Sequence, residues 1–315
     1  MTLPWTQPQP LMLAPMQGLT NRALRSVFGR LVQPDLLFTE FVRVRPRSET
    51  PIANSDFLEA TSTVPGIPLV VQVIGCADEG VLQATRDLVA AGVEHVNVNM
   101  GCPWGRMTSV LAGGGMFRAP ETVAPMLREL RAIVPGSLSV KTRAGIDDER
   151  QIFEVLPAFE ESGVDFLIVH PRTVQQKYKG AANHALTREI VACTSLTVIA
   201  NGDVTDEEQA AQVLEATGAA GLMLGRGAVS DPHLFQRVRG LAPSRPQGQE
   251  RKRELAAYLS LLLEGYRELF CGDAQVLRKL KEVLAHVQDP ELTRWVKQLK
   301  KQRRVADLAK TLAAR

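Results

Sequence analysis

In Asn99-Met100-Gly101-Cys102-Pro103 a single thiol stands directly behind an apolar run, on a loop whose turn Gly101 and Pro103 fix. A thiol of pKa ~8.5 is still protonated at neutral pH, so Cys102 is a candidate general acid. A lone cysteine is more often a small buried apolar residue; the company this one keeps argues for chemistry. Corresponding positions behind the other apolar runs carry Met16-Gln17-Gly18, Thr39-Glu40, Gln72, Asn97 with Asn99, Lys141 with Arg143, His170 with Arg172, Asn201-Gly202-Asp203 and Gly225-Arg226. A lysine or glutamine inside an apolar run is costly to bury unless it is paired. The set therefore points to one polar mouth on which all the run ends converge. The last two ends are glycine turns, Asn201-Gly202-Asp203 and Gly225-Arg226-Gly227. Backbone N–H groups in such turns hold phosphate, and Arg226 adds a cation, so a phosphate-bearing ligand is expected there.

Something must bring these ends together. Eight apolar runs recur: Leu11–Met16, Leu36–Thr39, Leu69–Ile74, His95–Asn99, Leu138–Thr142, Phe166–His170, Thr197–Asn201 and Gly221–Gly225. Several are continuous Val/Ile/Leu stretches, as in parallel strands buried on both faces. Helical patterns separate them, for example Asp78–Ala90, Pro120–Ile133 and Asp206–Ala216. Strand and helix alternating eight times predict an α/β fold, a (β/α)8 TIM barrel over residues 11–242, with functional groups at the strands' C-terminal ends. An open doubly wound sheet is the alternative, but no GxGxxG follows the first strand.

Pro243–Gln249 is a Pro/Gly/polar linker. Beyond it, residues 250–315 predict a small helical bundle with Leu255, Leu259, Leu262 and Leu263 on one face and Val276, Leu280, Val283, Leu284 and Val287 on another. Too small for a large core, this bundle is expected to pack on the barrel. It holds 15 Lys/Arg against 9 Asp/Glu, a net +6, while residues 1–249 carry −3. The basic clusters around Lys279, Lys281 and Lys297 suit phosphate contacts with a nucleic acid, although a charge run is usually just a solvated face. Met1–Pro10 reads as a flexible leader without a secretory signal. The four cysteines form no CxxC or metal spacing, so no metal is expected. No apolar run reaches the ~20 residues of a spanning helix. A cytoplasmic monomer, away from membranes, is expected.

The motifs LAPMQG at Leu13–Gly18, FTEFVRV at Phe38–Val44, VQVIG at Val71–Gly75, VNVNMGCP at Val96–Pro103, the glycines Gly113–Gly115, VKTRAG at Val140–Gly145, VHPRT at Val169–Thr173, ANGD at Ala200–Asp203 and LGRG at Leu224–Gly227 follow one another in this order. The chain resembles the tRNA-dihydrouridine synthases over about residues 11–240, and its TEFVRV block resembles the bacterial subgroup acting on uridine 16 of the D-loop. The resemblance implies bound FMN, NADPH as electron donor and tRNA as substrate. It implies Pro15, Met16 and Gln17 along the flavin ring, Gln72 and Lys141 at its polar edge, and His170 bordering flavin and substrate. Asn201, Gly202, Asp203, Gly225 and Arg226 would hold the FMN phosphate. Asn99 and Arg172 would meet the uracil, and Arg43, Tyr178, Lys179, Lys279, Lys281 and Lys297 the tRNA. Hydride would pass from reduced flavin to carbon 6 of uracil, and a proton from Cys102 to carbon 5. Two readings compete: a flavin barrel reducing a free pyrimidine of the dihydroorotate type, which leaves the +6 segment idle, and a tRNA-binding module without catalysis, which leaves Lys141 and Cys102 idle.

Overall fold

A computed structural model describes residues 3–314 apart from 46, 47, 49 and 105–107. Nine parallel strands run through it: β1 (Leu11–Leu13), β2 (Leu36–Phe38), β3 (Val42–Arg43), β4 (Leu69–Ile74), β5 (His95–Met100), β6 (Leu138–Arg143), β7 (Phe166–His170), β8 (Thr197–Asn201) and β9 (Gly221–Leu224). β1 pairs with both β2 and β9, and β2 pairs with β4, so eight strands close into a barrel. The two-residue β3 lies on the rim, paired to the far end of β4. The predicted (β/α)8 barrel is therefore the fold, with each apolar run supplying one strand.

The period of two sorts each strand's residues. Met12, Leu36, Phe38, Val70, Phe166, Ile168, Ile199 and Met223 fill the interior. Their neighbours Leu11, Leu13, Leu37, Leu222 and Leu224 face the outer helices. Farther along the inward set, apolar residues give way to polar ones: Gln72 faces Asn97 in register, and Asn99 faces Lys141. The outer helices are capped as their sequences specify. Asp78 accepts the N–H of Gly80 ahead of Glu79–Ala90, and Asp206 that of Gln209 ahead of Glu207–Thr217, which Gly218 ends at φ +66°.

The C-terminal helices Gly248–Leu269, Gly272–His286, Thr293–Lys301 and Val305–Ala313 bury their apolar residues in a cluster shared with the barrel. Leu255, Tyr258, Leu262 and Leu284 share one cluster with Leu24, Val27 and Phe28 of the barrel helix Arg22–Leu31. Phe28 meets Tyr258 edge to face at 6.1 Å, and a Cβ on Gly265 would lie 3.2 Å from Ala23 Cβ. Polar groups bolt the joint as well. The buried carboxylate of Asp231 pairs with Arg237, with Arg251 at 3.2 Å and with Arg245 at 3.4 Å; Arg237 also reaches Glu254 at 2.9 Å. The leader residues lie against the N-terminal end of the barrel, where Trp5 stands edge-on to Phe166 at 4.9 Å and the Pro10 carbonyl accepts the N–H of Leu222 at 2.9 Å. Leu3 and Trp5 are the apolar groups in that Pro/Gln-rich stretch that make the packing favourable.

Candidate active site

A line of side-chain amides crosses the C-terminal end of the barrel and stops at the backbone N–H of Cys102. Asn97 Nδ2 donates to Ser139 Oγ at 2.9 Å, and Gln72 Nε2 to Asn97 Oδ1 at 2.7 Å. Asn99 Nδ2 donates to Gln72 Oε1 at 2.8 Å, while Asn99 Oδ1 accepts the N–H of Gly101 at 3.0 Å and of Cys102 at 2.9 Å. Each amide fixes the orientation of the next, so the loop carrying Cys102 is set by groups rooted in three strands. Behind the loop, Gly113 has φ +56°, and a Cβ there would stand 2.9 Å from Cys102 Cβ. The N–H of Gly114 donates to the Cys102 carbonyl at 3.1 Å. Only glycines let this backing segment come so close. Burial pushes the Cys102 thiol up, against smaller opposing pulls from the Trp104 backbone and Arg143, so the proton stays on sulfur at neutral pH.

Lys141 stands beside Asn99 on β6. Burial, and secondarily Arg143, lower its ammonium to about 7. It has no hydrogen-bond or ion-pair partner among the described residues. Next to it, His170 is driven well below the ordinary imidazole value by burial and then by Lys141, Arg143, Arg172 and Arg226, which keeps the ring neutral. Arg172 lies within 3.0 Å of His170 Nε2, donates to the Gly180 carbonyl at 2.6 Å and forms a short ion pair with Asp203. Asp203 also pairs with Arg226 at 3.3 Å and accepts the N–H of Ala182 at 2.8 Å. The Asp203 carboxylate is thus spent on two guanidiniums, and Arg226 remains nearly half exposed. Gly202 takes φ +132°, and a Cβ there would lie 3.2 Å from the His170 ring. Asn201 ties β8 to β9 by donating to the Met223 carbonyl at 2.8 Å.

The structure brings most of the sequence-selected residues to this mouth. Pro15, Met16 and Gln17 turn over its edge, the Met16 N–H donating to Thr20 Oγ1 at 2.8 Å. The Cβ direction of Gly225 points to Met16 Sδ at 3.6 Å. Gln17 and Arg43 line one 310 Å³ cavity with Phe41, Arg45, Ala53 and Asp56. Tyr178 and Lys179 are exposed on the loop after β7, with the Arg226 guanidinium 4.7 Å from the Tyr178 ring centre. The basic residues of the C-terminal helices divide. Lys279 donates to the Gly18 carbonyl at 3.0 Å and Lys281 to the Gln302 carbonyl at 2.8 Å, whereas Lys297 stands in solvent. Lys281 also lines a shallow groove with Arg278 and Arg303.

Sequence reasoning missed two relationships. One is Glu40, which accepts the N–H of Gly18 at 2.8 Å and is raised to about 7, chiefly by burial. Its place at a strand end marked it, but its partner 22 residues away did not. The other is Trp104, half exposed beside Cys102, for which a tryptophan between Pro103 and Gly105 was the available signal.

The model of the dihydrouridine synthase family matches residues 12–314. The chain belongs to this family. It is 33% identical over 262 residues to a tRNA-dihydrouridine(16) synthase of Cupriavidus necator, covering 80% of this chain and 81% of that one. It is 31% identical over 282 residues to a tRNA-dihydrouridine synthase B of Serratia marcescens, covering 85% and 80%. Among solved structures it is similar to an old yellow enzyme homologue from Zymomonas mobilis, with TM-score 0.54 and 13% identity over 77% of this chain and 91% of that one, a likeness of fold. The amide line, the thiol and the lone lysine thus sit on a dihydrouridine synthase barrel.

Proposed function

We propose that this dihydrouridine synthase binds FMN in the barrel mouth, takes electrons from NADPH and reduces uridine 16 of the tRNA D-loop. The observation that carries the reading is the amide line ending on the backbone N–H of Cys102, together with Lys141, the register partner of Asn99, which has no hydrogen-bond or ion-pair partner among the described residues. The residues fit FMN. Lys141 is a largely buried cation that an anionic ring edge or carbonyl would satisfy, and Gln72 is bonded to Asn99, the register partner of Lys141. Gly202 at positive φ, Gly225 and the exposed side of Arg226 suit a phosphate, with the opposing charge of Asp203 already neutralised by Arg172. Bound and reduced, FMN supplies hydride chemistry.

The protein's part is to hold and to donate. Asn99 anchors both the uracil side of the mouth and the N–H groups that frame Cys102. The Cys102 thiol delivers a proton to carbon 5 of the uracil as carbon 6 receives hydride. Its raised pKa serves this role, because a thiolate has no proton to give. A neutral His170 adds no competing charge between the phosphate site and the ring. A uridine enters such a mouth only after leaving its stack, at a cost of a few kcal/mol. Phosphate contacts from Arg43, Lys179, Lys281 and Lys297 offset that cost. The uridine-16 assignment rests on the TEFVRV block at Thr39–Val44, whose Glu40 and Arg43 both border the mouth.

The test is reconstitution. Purified protein mixed with FMN is expected to retain it through gel filtration and to be bleached by NADPH under nitrogen; adding unmodified tRNA then restores the oxidised spectrum. A protein that holds no FMN, or whose reduced flavin is indifferent to tRNA and is reoxidised by free uracil instead, overturns the reading.

A further inference from the structure

Trp104 lies two residues past Cys102, and two residues of chain span at most roughly 7 Å. Trp104 is 55% exposed, an unusual position for so large an apolar residue. The Lys177 ammonium sits over it, 5.0 Å from the ring centroid. Lys177 takes φ +53°, a left-handed conformation that residues with side chains avoid. Arg143 secures that conformation. Its Nη1 donates to the Lys177 carbonyl at 2.7 Å and its Nε to the Gly101 carbonyl at 2.8 Å, so one guanidinium ties the Cys102 loop to the Lys177 backbone. Backbone strain held in place beside a reacting group indicates a function for the group it positions. Tyr178, the next residue, already has Arg226 and Arg143 against its ring.

We infer that Trp104 and Lys177 form a nucleotide subsite, in which the indole stacks on the base adjoining the target uridine and the ammonium meets the phosphate between them. The inference rests on tRNA being the substrate. Extruding one base leaves its neighbour with an uncovered face. An aromatic one step from the catalytic thiol covers it, and stacking of this kind is indifferent to base identity. The cation beside the ring matches the charge every nucleotide step carries. A dinucleotide such as NADPH also offers a base and a phosphate, and the experiment separates the two.

Wild-type holoenzyme is compared with Trp104→Ala, Trp104→Phe and Lys177→Gly on unmodified tRNA. Trp104→Ala is expected to raise KM for tRNA about 10-fold while kcat changes far less, and Trp104→Phe to restore most of the loss. Flavin reduction by NADPH without tRNA keeps its rate and its KM. Lys177→Gly relieves the left-handed strain and so folds at least as well, yet its tRNA affinity has a salt slope smaller by about one. Tryptophan emission quenched by tRNA in the wild type is not quenched in Trp104→Phe. Unchanged KM for tRNA in Trp104→Ala, or a raised KM for NADPH in its place, overturns the subsite while tRNA reduction stands. A wild type that reduces no tRNA overturns both.

Discussion

The ammonium of Lys279, in the C-terminal helix Gly272–His286, donates to the carbonyl oxygen of Gly18 at the barrel mouth, 3.0 Å away. Glu40 takes the N–H of the same Gly18 from the other side. A residue of the basic segment is thereby committed to the turn that carries Met16 and Gln17. Lys279→Met is expected to weaken FMN binding several-fold, and tRNA binding by less than Lys297→Ala does, since Lys297 stands free in solvent. Flavin fluorescence titration and filter binding give the two numbers; a change confined to tRNA affinity would return Lys279 to the phosphate contacts.

Glu40 leads to a pH-dependent prediction. Its carboxyl is raised from 4.5 to about 7, with burial as the main cause. Below 4.5 it is neutral in folded and unfolded chains alike. From there to about 7 the folded state alone keeps the proton, so the stability it contributes is lost as pH rises through 7. Glu40→Gln keeps an acceptor for Gly18 without the charge. Thermal unfolding of the FMN-free protein should show the variant a few degrees more stable than wild type at pH 8 and equal to it at pH 4.

For Lys141 the sign is the reverse. The unfolded ammonium titrates at 10.5 and the folded one at about 7. The burial penalty is therefore fully present below pH 7 and disappears as pH rises through 10.5. An anionic ligand edge that prefers the charged form takes up a proton on binding above pH 7. FMN affinity is expected to strengthen as pH falls from 9 to 7, and Lys141→Met to abolish that trend while stabilising the ligand-free protein. Isothermal titration in buffers of different ionisation enthalpy reads the proton uptake directly; none at pH 8 would contradict this role.

Asp231 tests the joint between barrel and C-terminal helices. Asp231→Ala leaves the buried guanidiniums of Arg237 and Arg251 without their shared carboxylate. Breaking a buried ion cluster from one side typically costs ~3–5 kcal/mol, measurable by urea unfolding. The losses should appear in one transition for barrel and helices together, because their core is continuous.

Much of this site was legible in the sequence, and the reason is periodicity. A closed barrel puts every strand's C-terminal end on one rim, so listing the polar residues at run ends already listed the mouth. Gln72, Asn99, Lys141 and His170 were found this way. Pairings across the rim were not legible, because nothing in the linear order joins Glu40 to Gly18 or Arg172 to Asp203. The fate of the basic residues was hidden for the same reason: Lys279, Lys281 and Lys297 look alike as letters, yet two of them bond backbone carbonyls and one stands in solvent. The contact of the leader with the barrel was not legible either, since nothing in the linear order joins Trp5 to Phe166.

Cys102→Ala is expected to retain FMN and lower kcat about 10²–10³-fold, within the range for a lost general acid. Because burial raises the thiol, wild-type turnover should stay level through the ordinary thiol range near ~8.5 and fall only above it. A turnover rate unaffected by Cys102→Ala would remove the thiol from the reaction.

The most direct measurement is to incubate unmodified tRNA with the protein, FMN and NADPH, and to locate dihydrouridine by primer extension after alkaline ring opening. The account predicts dihydrouridine at position 16 alone, dependent on both FMN and NADPH. Dihydrouridine at position 17 or 20, or none in the presence of both cofactors, would contradict it.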